Sequence, residues 1–152
     1  MKKGLLVAGL LMVSSCYAYQ IVNIKNYTKE ISEQITEESL KLQEKLDARL
    51  PVISKATAGK VLRHKITLTS FSYSIFIIGD DAISRQWLQD HSQELEEKNA
   101  MGFIANIDST SKLQELQLLT KVPLLPANVD DLLAILKENH YPLIFHEGEI
   151  WQ

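Results

Sequence analysis

The chain has 152 residues, 16 basic against 19 acidic, and a formal net charge of −3, which is enough for one domain and an additional arm. This balance lacks the basic surface that nucleic acids require, so nucleic acid is not expected as a partner. A single cysteine, Cys16, excludes a disulfide within the chain.

The first 18 residues read as an export signal. Lys2-Lys3 form a positive start, and Gly4–Val13 (GLLVAGLLMV) runs without a polar side chain. That run is too short to span a bilayer but suits the core of a signal peptide. Two processing points fit. Cys16-Tyr17-Ala18 places small residues where a signal peptidase reads, and Val13-Ser14-Ser15-Cys16 resembles a lipobox that would lipidate Cys16. Cleavage after Ala18 is favoured, because Val is a weak head for a lipobox; membrane association is expected only with a lipid on Cys16. Loss of Lys2 and Lys3 leaves 14 basic residues against 19 acidic ones, a charge of −5.

Residues 19–70 read as an N-terminal arm. Tyr19–Tyr27 opens with Ile21, Val22 and Ile24 and fits a short strand or a loose arm. Thr28–Leu50 places Ile31, Ile35, Leu42, Leu46 and Leu50 near one helical stripe among acidic and basic residues, and Pro51 stops the helix. This amphipathic helix either grips a partner as a coiled-coil arm, or packs on its own domain or stands partly ordered alone, and the second reading is favoured. Pro51–Ser70 is a connector with a turn at Ala58-Gly59 and an extra strand near Lys65–Thr69.

Residues 71–152 read as the domain. Ser74–Ile78 carries four consecutive apolar residues, as a strand buried on both faces does. Gly79 turns the chain, and Asp80 or Asp81 caps a helix over Ala82–Asn99 with Ile83, Trp87, Leu88 and Leu95 inward. Gly102–Ile107 is a second strand, Ser111–Thr120 and Asp130–Glu138 are helices, and Tyr141–Phe145 is a third strand. Glu147-Gly148 makes a tight turn into a last strand, Glu149–Gln152.

The order βαβ–α–ββ, with Tyr141-Pro142 before the apolar strand Leu143-Ile144-Phe145, resembles the thioredoxin fold. The resemblance implies a cis Tyr141–Pro142 bond next to the first strand's turn. It also implies a Cys-x-x-Cys pair at that turn, where this chain has Gly79-Asp80-Asp81-Ala82-Ile83-Ser84; without cysteines, dithiol chemistry is excluded. The fold class expected is therefore α/β, a thioredoxin-like core lacking that motif and the final helix. One sheet face is expected to lie bare unless Thr28–Leu50 or another protein covers it.

A second resemblance covers most of the chain. It rests on Leu50-Pro51-Val52-Ile53-Ser54, Ile78-Gly79-Asp80-Asp81 with Ser84-Arg85 and Trp87-Leu88, Gly102–Ile107, Leu124-Leu125-Pro126, Asp130-Asp131-Leu132, and His140-Tyr141-Pro142-Leu143-Ile144 with Gln152. These are similar to an uncharacterised exported family encoded in integrating conjugative elements beside type IV secretion-like transfer genes. Asn128-Val129 departs from the Ser-Gly usual there, and the region before residue 50 is more acidic. The resemblance implies a periplasmic part of a conjugation machine, without a known reaction; the missing cysteines and the missing base then favour a non-enzymatic assembly protein whose partners are other envelope components.

The candidate functional surface is Asp80, Asp81, Arg85, Asp130, Asp131, Tyr141, Pro142 and Trp151. Two acidic pairs brought together would suit Mg²⁺ or Ca²⁺, but each pair sits at a helix start, where capping and the dipole account for it. Asn128-Val129-Asp130-Asp131 fits a capping box with Asp in place of Glu. Arg85 is spaced to pair with Asp81 within the helix, and an Arg85–Asp130 link is the alternative. Trp87 reads as core, and Trp151 as covering the sheet edge or meeting a partner. His140 and His146 flank one strand without a third metal ligand, and Ser84 lacks a base. No metal, cofactor or catalytic residue is expected. The competing expectation is a thioredoxin-like enzyme or metal-dependent hydrolase working at the turn after Ser74–Ile78.

Overall fold

The computed structural model describes residues 32–45, 47–68 and 72–152. The export signal, its cleavage point, Cys16, the segment 19–27, the first turn of the Thr28–Leu50 helix, Leu46 and residues 69–71 lie outside the described residues. Two compact units divide the chain, Met1–Lys45 and Leu46–Gln152. In the first, residues 32–45 form helix α1, in which the Thr36 hydroxyl donates to Ser32 O at 2.8 Å.

The second unit is mixed α/β. Its elements are β1 (Thr57–Ala58), β2 (His64–Lys65), β3 (Ile75–Ile78), α2 (Ala82–Glu97), β4 (Met101–Ile104), α3 (Thr110–Gln117), β5 (Leu124–Pro126), α4 (Asp130–Leu136), β6 (His140–Tyr141), β7 (Leu143–His146) and β8 (Glu149–Trp151). Six strands form one sheet in the order β2-β8-β7-β3-β4-β5. β3, β4 and β5 run parallel, while β7 is antiparallel to β3, β8 to β7 and β2 to β8.

Alternation along the strands splits the interior in two. Phe76 and Ile78 of β3, Ile104 of β4 and Ile144 of β7 face α2 and α3, packing with Trp87, Leu88, Leu95, Leu113 and Leu116. Ile75, Ile77, Leu143, Phe145 and Ile150 face the other way. Gly102 sits where any side chain would strike Phe76 and Leu124, so the strand can pass only as glycine. Ile83, expected on the inner face of α2, is 57% exposed. Fully buried Ser84 takes the inward position instead, because it closes the turn before the helix.

The second sheet face, expected to lie bare without another cover, is covered from within the same unit. α4 lays Leu133 and Leu136 on it, and the connector adds Ala56 and Val61, with Ala58, Ile66 and Leu68 at the margin. Backbone bonds lay this strap down. Val52 and Ile107 exchange N–H···O bonds of 2.8 and 3.0 Å, Thr57–Ala58 pairs in parallel with His140–Tyr141, and Ile66 N donates to Gly148 O at 2.8 Å.

Other boundaries shift in ways that follow from backbone chemistry. The strand expected over Tyr141–Phe145 is divided at Pro142, which has no N–H for a ladder, and Tyr141–Pro142 is cis as expected; Leu50–Pro51 is cis as well. The sequence reading lacks β5, which is masked by two prolines, Pro123 and Pro126. Its outward edge is blunted: the Leu124 N–H is taken by Gln117 Oε1 at 3.1 Å, and Pro126 has none. α2 ends where Asn99 adopts φ 47°, a left-handed conformation Asn tolerates, while Ala100 N reaches back to Leu95 O at 3.0 Å.

If the strap is core, its two adjacent residues Val61 (5% exposed) and Leu62 (67% exposed) will respond oppositely to charge. Val61→Asp is expected to cost on the order of 3 kcal/mol or more, the effect of an uncompensated buried charge. Leu62→Asp should stay within about 0.5 kcal/mol of wild type. Urea unfolding of both variants checks this.

Candidate functional site

The ends of β3 and β4 meet a shallow cavity of about 360 Å³, open to solvent. Its walls come from the strap (Pro51, Val52, Ile53), the turn after β3 (Asp80, Asp81), the segment after β4 (Asn106, Ile107, Asp108), α3 (Lys112) and β6 (Tyr141). Ligands of open α/β sheets gather at the carboxyl ends of strands, and this cavity occupies that position.

The turn after β3 is closed by three bonds. Asp81 caps α2, accepting from Ser84 N and from the Ser84 hydroxyl, each at 2.9 Å. The same hydroxyl accepts from Gly79 N at 2.9 Å. Gly79 is obligatory here: a Cβ would lie 2.4 Å from Cε2 of Tyr141, whose ring packs on it. Asn106 ties this floor to the strap. Its Nδ2 donates to Tyr141 Oη at 3.3 Å and to Ala56 O at 3.0 Å, while Oδ1 accepts from Ser54 N at 2.7 Å. Ser54 Oγ in turn donates to Ala105 O at 2.7 Å and accepts from Val129 N at 3.1 Å.

Charges ring the mouth. Asp80 does not cap the helix; it pairs with Arg85 and lies 3.4 Å from Lys112 Nζ. Arg85 therefore meets Asp80 rather than Asp81, because the Asp81 carboxylate is turned inward to Ser84. Arg85 also reaches Glu115 at 3.3 Å, and its hydrogen bond to Asp80 raises its pKa above the ordinary value. Lys112 donates to Asp108 at 2.9 Å, which holds the Asp108 carboxyl below its usual 3.8 and raises the ammonium.

Of the residues singled out from sequence, Asp80, Asp81 and Tyr141 line one cavity with Arg85 behind. Asp130 and Asp131 line another, of about 320 Å³, with Lys55 and Glu138. No Arg85–Asp130 link forms; Asp130 accepts from Lys55 N at 2.8 Å. The capping box expected at Asn128 does not form: α4 is capped at Val129 without a side-chain bond, and Asn128 Oδ1 instead accepts from Asp130 N at 3.0 Å. Among the described residues no group of three or more His, Cys, Asp or Glu is placed to hold a metal ion. Pro142 O accepts from Gln152 Nε2 at 3.1 Å, and that amide also donates to Gly59 O at 2.7 Å.

Trp151 is half-buried against the α2 side of the core, with Arg63 5.0 Å and Lys98 5.7 Å from its ring centre. The two histidines serve different places. The Nδ1 of His140 meets Thr57 Oγ1 at 3.1 Å, and that of His146 meets Ser74 Oγ at 2.6 Å. Asn106, Ser54, Lys112 and Gln152 are the residues sequence reasoning missed. Asn106 follows an apolar strand as the only amide in its run, and Ser54 and Gln152 stand in stretches that carry the family resemblance, which were the available signals; Lys112 carried none.

The geometry defines a class: a mixed α/β protein whose strand ends are closed by hydrogen-bonded turns around an open, charged cavity. The chain belongs to the protein family of unknown function DUF2859, which matches residues 13–150. No curated protein and no solved structure matches it.

The Lys112–Asp108 pair sets a pH dependence. A depressed carboxyl contributes stability that is complete above its unfolded value near 3.8 and fades as pH falls through the lower folded value. Lys112→Met should therefore be less stable than wild type at neutral pH, and the difference should close below about pH 3.8. Thermal melts across that range measure it.

Proposed function

We propose that the chain is a non-catalytic, partner-binding component of a conjugative, type IV secretion-like transfer apparatus of an integrating conjugative element. It works in the periplasm during channel or pilus assembly, with other envelope components as its partners. The observation that carries this reading is the commitment of every reactive side chain at the turn after β3. Ser84 is fully buried and spans Asp81 and Gly79, and Asp80 is matched by Arg85 and Lys112. Such a turn holds a surface in shape. Ile53, by contrast, stands 74% exposed on the rim of the cavity, on a backbone pinned on both sides.

Export is supported by Lys2-Lys3 and the apolar run Gly4–Val13. The finer fold reading, a thioredoxin-like core, is supported by β3–α2–β4 as a parallel unit, followed by α4 and the antiparallel hairpin β7–β8. The place in conjugation rests on the resemblance to the family of conjugative elements carried by the stretches from Leu50-Pro51 to Gln152.

Deletion of the gene is expected to lower conjugative transfer at envelope assembly, with DNA processing in the donor cytoplasm unchanged. Asp81→Asn should be exported and melt like wild type, since Asn caps a helix as well as Asp, whereas Asp81→Ala should lose about 1 kcal/mol. Wild-type transfer from the deletion strain, or disulfide reduction by the purified protein, contradicts the reading.

A further inference from the structure

We infer that the cavity beside Ile53 is a docking groove for a cationic, apolar peptide segment of the partner, an inference that rests on the partner-binding reading above. Three observations converge on it.

The first is charge. Three carboxylates line the mouth (Asp80, Asp81 and Asp108) against one lining cation, Lys112, while Arg85 behind them pairs with Asp80 and with Glu115. Asp81 is held by the neutral N–H and hydroxyl of Ser84, so among the described residues no cation cancels it. A concave surface with an excess of one sign draws the opposite sign and repels its own.

The second is the apolar floor. Val52, Ile107 and the Tyr141 ring lie between those charges, with Ile53 projecting at the edge. A bare metal ion has no use for such a floor, and the carboxylates are too dispersed to form a cation site among the described residues. A side chain such as Leu or Val, flanked by Lys or Arg, matches both parts.

The third is rigidity. Val52 is fixed by its paired bonds with Ile107, and Ser54 by Asn106 and Ala105. Ile53, held between them, is set in place before a partner arrives, which lowers the ordering cost of binding. The open shape favours a peptide laid across the groove over a small molecule, which needs most of its surface enclosed.

A displayed library of random peptides of about twelve residues, selected against the full chain, tests this. The selected peptides should carry Lys or Arg beside an aliphatic residue. Their affinity should fall about tenfold between about 0.05 and 0.5 M salt, as expected for contacts between partly exposed charges. Ile53→Ser and Asp108→Lys should each weaken them about tenfold with circular dichroism unchanged. Ile135→Ser, at another exposed isoleucine, on α4, should leave them unaffected. The inference is overturned if nothing is selected, if the peptides are acidic or without charge bias, if they bind the groove variants as well as wild type, or if millimolar Ca²⁺ or Mg²⁺ displaces them stoichiometrically. Should selection fail while the deletion still lowers transfer, the groove chemistry falls and partner binding stands. Peptides that bind as described while the deletion leaves transfer unchanged uphold the groove chemistry and overturn the role in transfer.

Discussion

The ring of Tyr141 lies directly on the backbone of Gly79, closer than any side chain at that position would permit. This contact brings the start of the β6–β7 segment against the end of β3, so that two strands distant in sequence share one floor. It requires a turn after β3 with no side chain at Gly79 and no unpaired donor. Ser84 meets the second requirement by accepting from Gly79 N while donating to Asp81. With the turn closed, Asn106 can bind the Tyr141 hydroxyl from one side and the strap from the other. The groove exists because these three layers stack at one end of the sheet.

The strap is the second consequence. A sheet with apolar residues on both faces must cover both, since a large bare patch invites association. Helices α2 and α3 cover one face. On the other, α4 is only seven residues long and leaves room, which an extended segment fills with Ala56 and Val61. An extended chain satisfies its polar backbone only through partners, and here side chains supply many of them: Asn106, Asn128, Asp130 and Gln152. Those bonds, made for coverage, also fix Ile53 outward at the groove.

What was legible in the sequence were features whose cause is local. Four apolar residues followed by Gly and Asp announce β3, its turn and the cap of α2, and Asn128 announces α4. The split at Pro142 and the short β5 are obscured because proline reads as a breaker even where it ends or edges a strand. The strap reads as a connector because what holds it is remote: Gln152 and Gly59 are 93 positions apart, and Asn106 and Ser54 are 52 apart. Helical spacing alone pairs Arg85 with Asp81, and the inward turn of the Asp81 cap redirects it to Asp80. For the site, the acidic residues are visible as types, but their division between two cavities depends on where the strap passes, which no local pattern encodes.

The central claim is that the groove end of the sheet, rather than a reacting group, is what this protein offers. A photo-crosslinking amino acid at position 53 in cells carrying the proposed conjugative element, with position 135 on α4 as the comparison, addresses it most directly. Adducts from position 53, identified by mass spectrometry as an envelope component encoded by the same element, and their absence from position 135, are predicted. Equal adducts from both positions, or none from position 53 in cells that transfer normally, would contradict it.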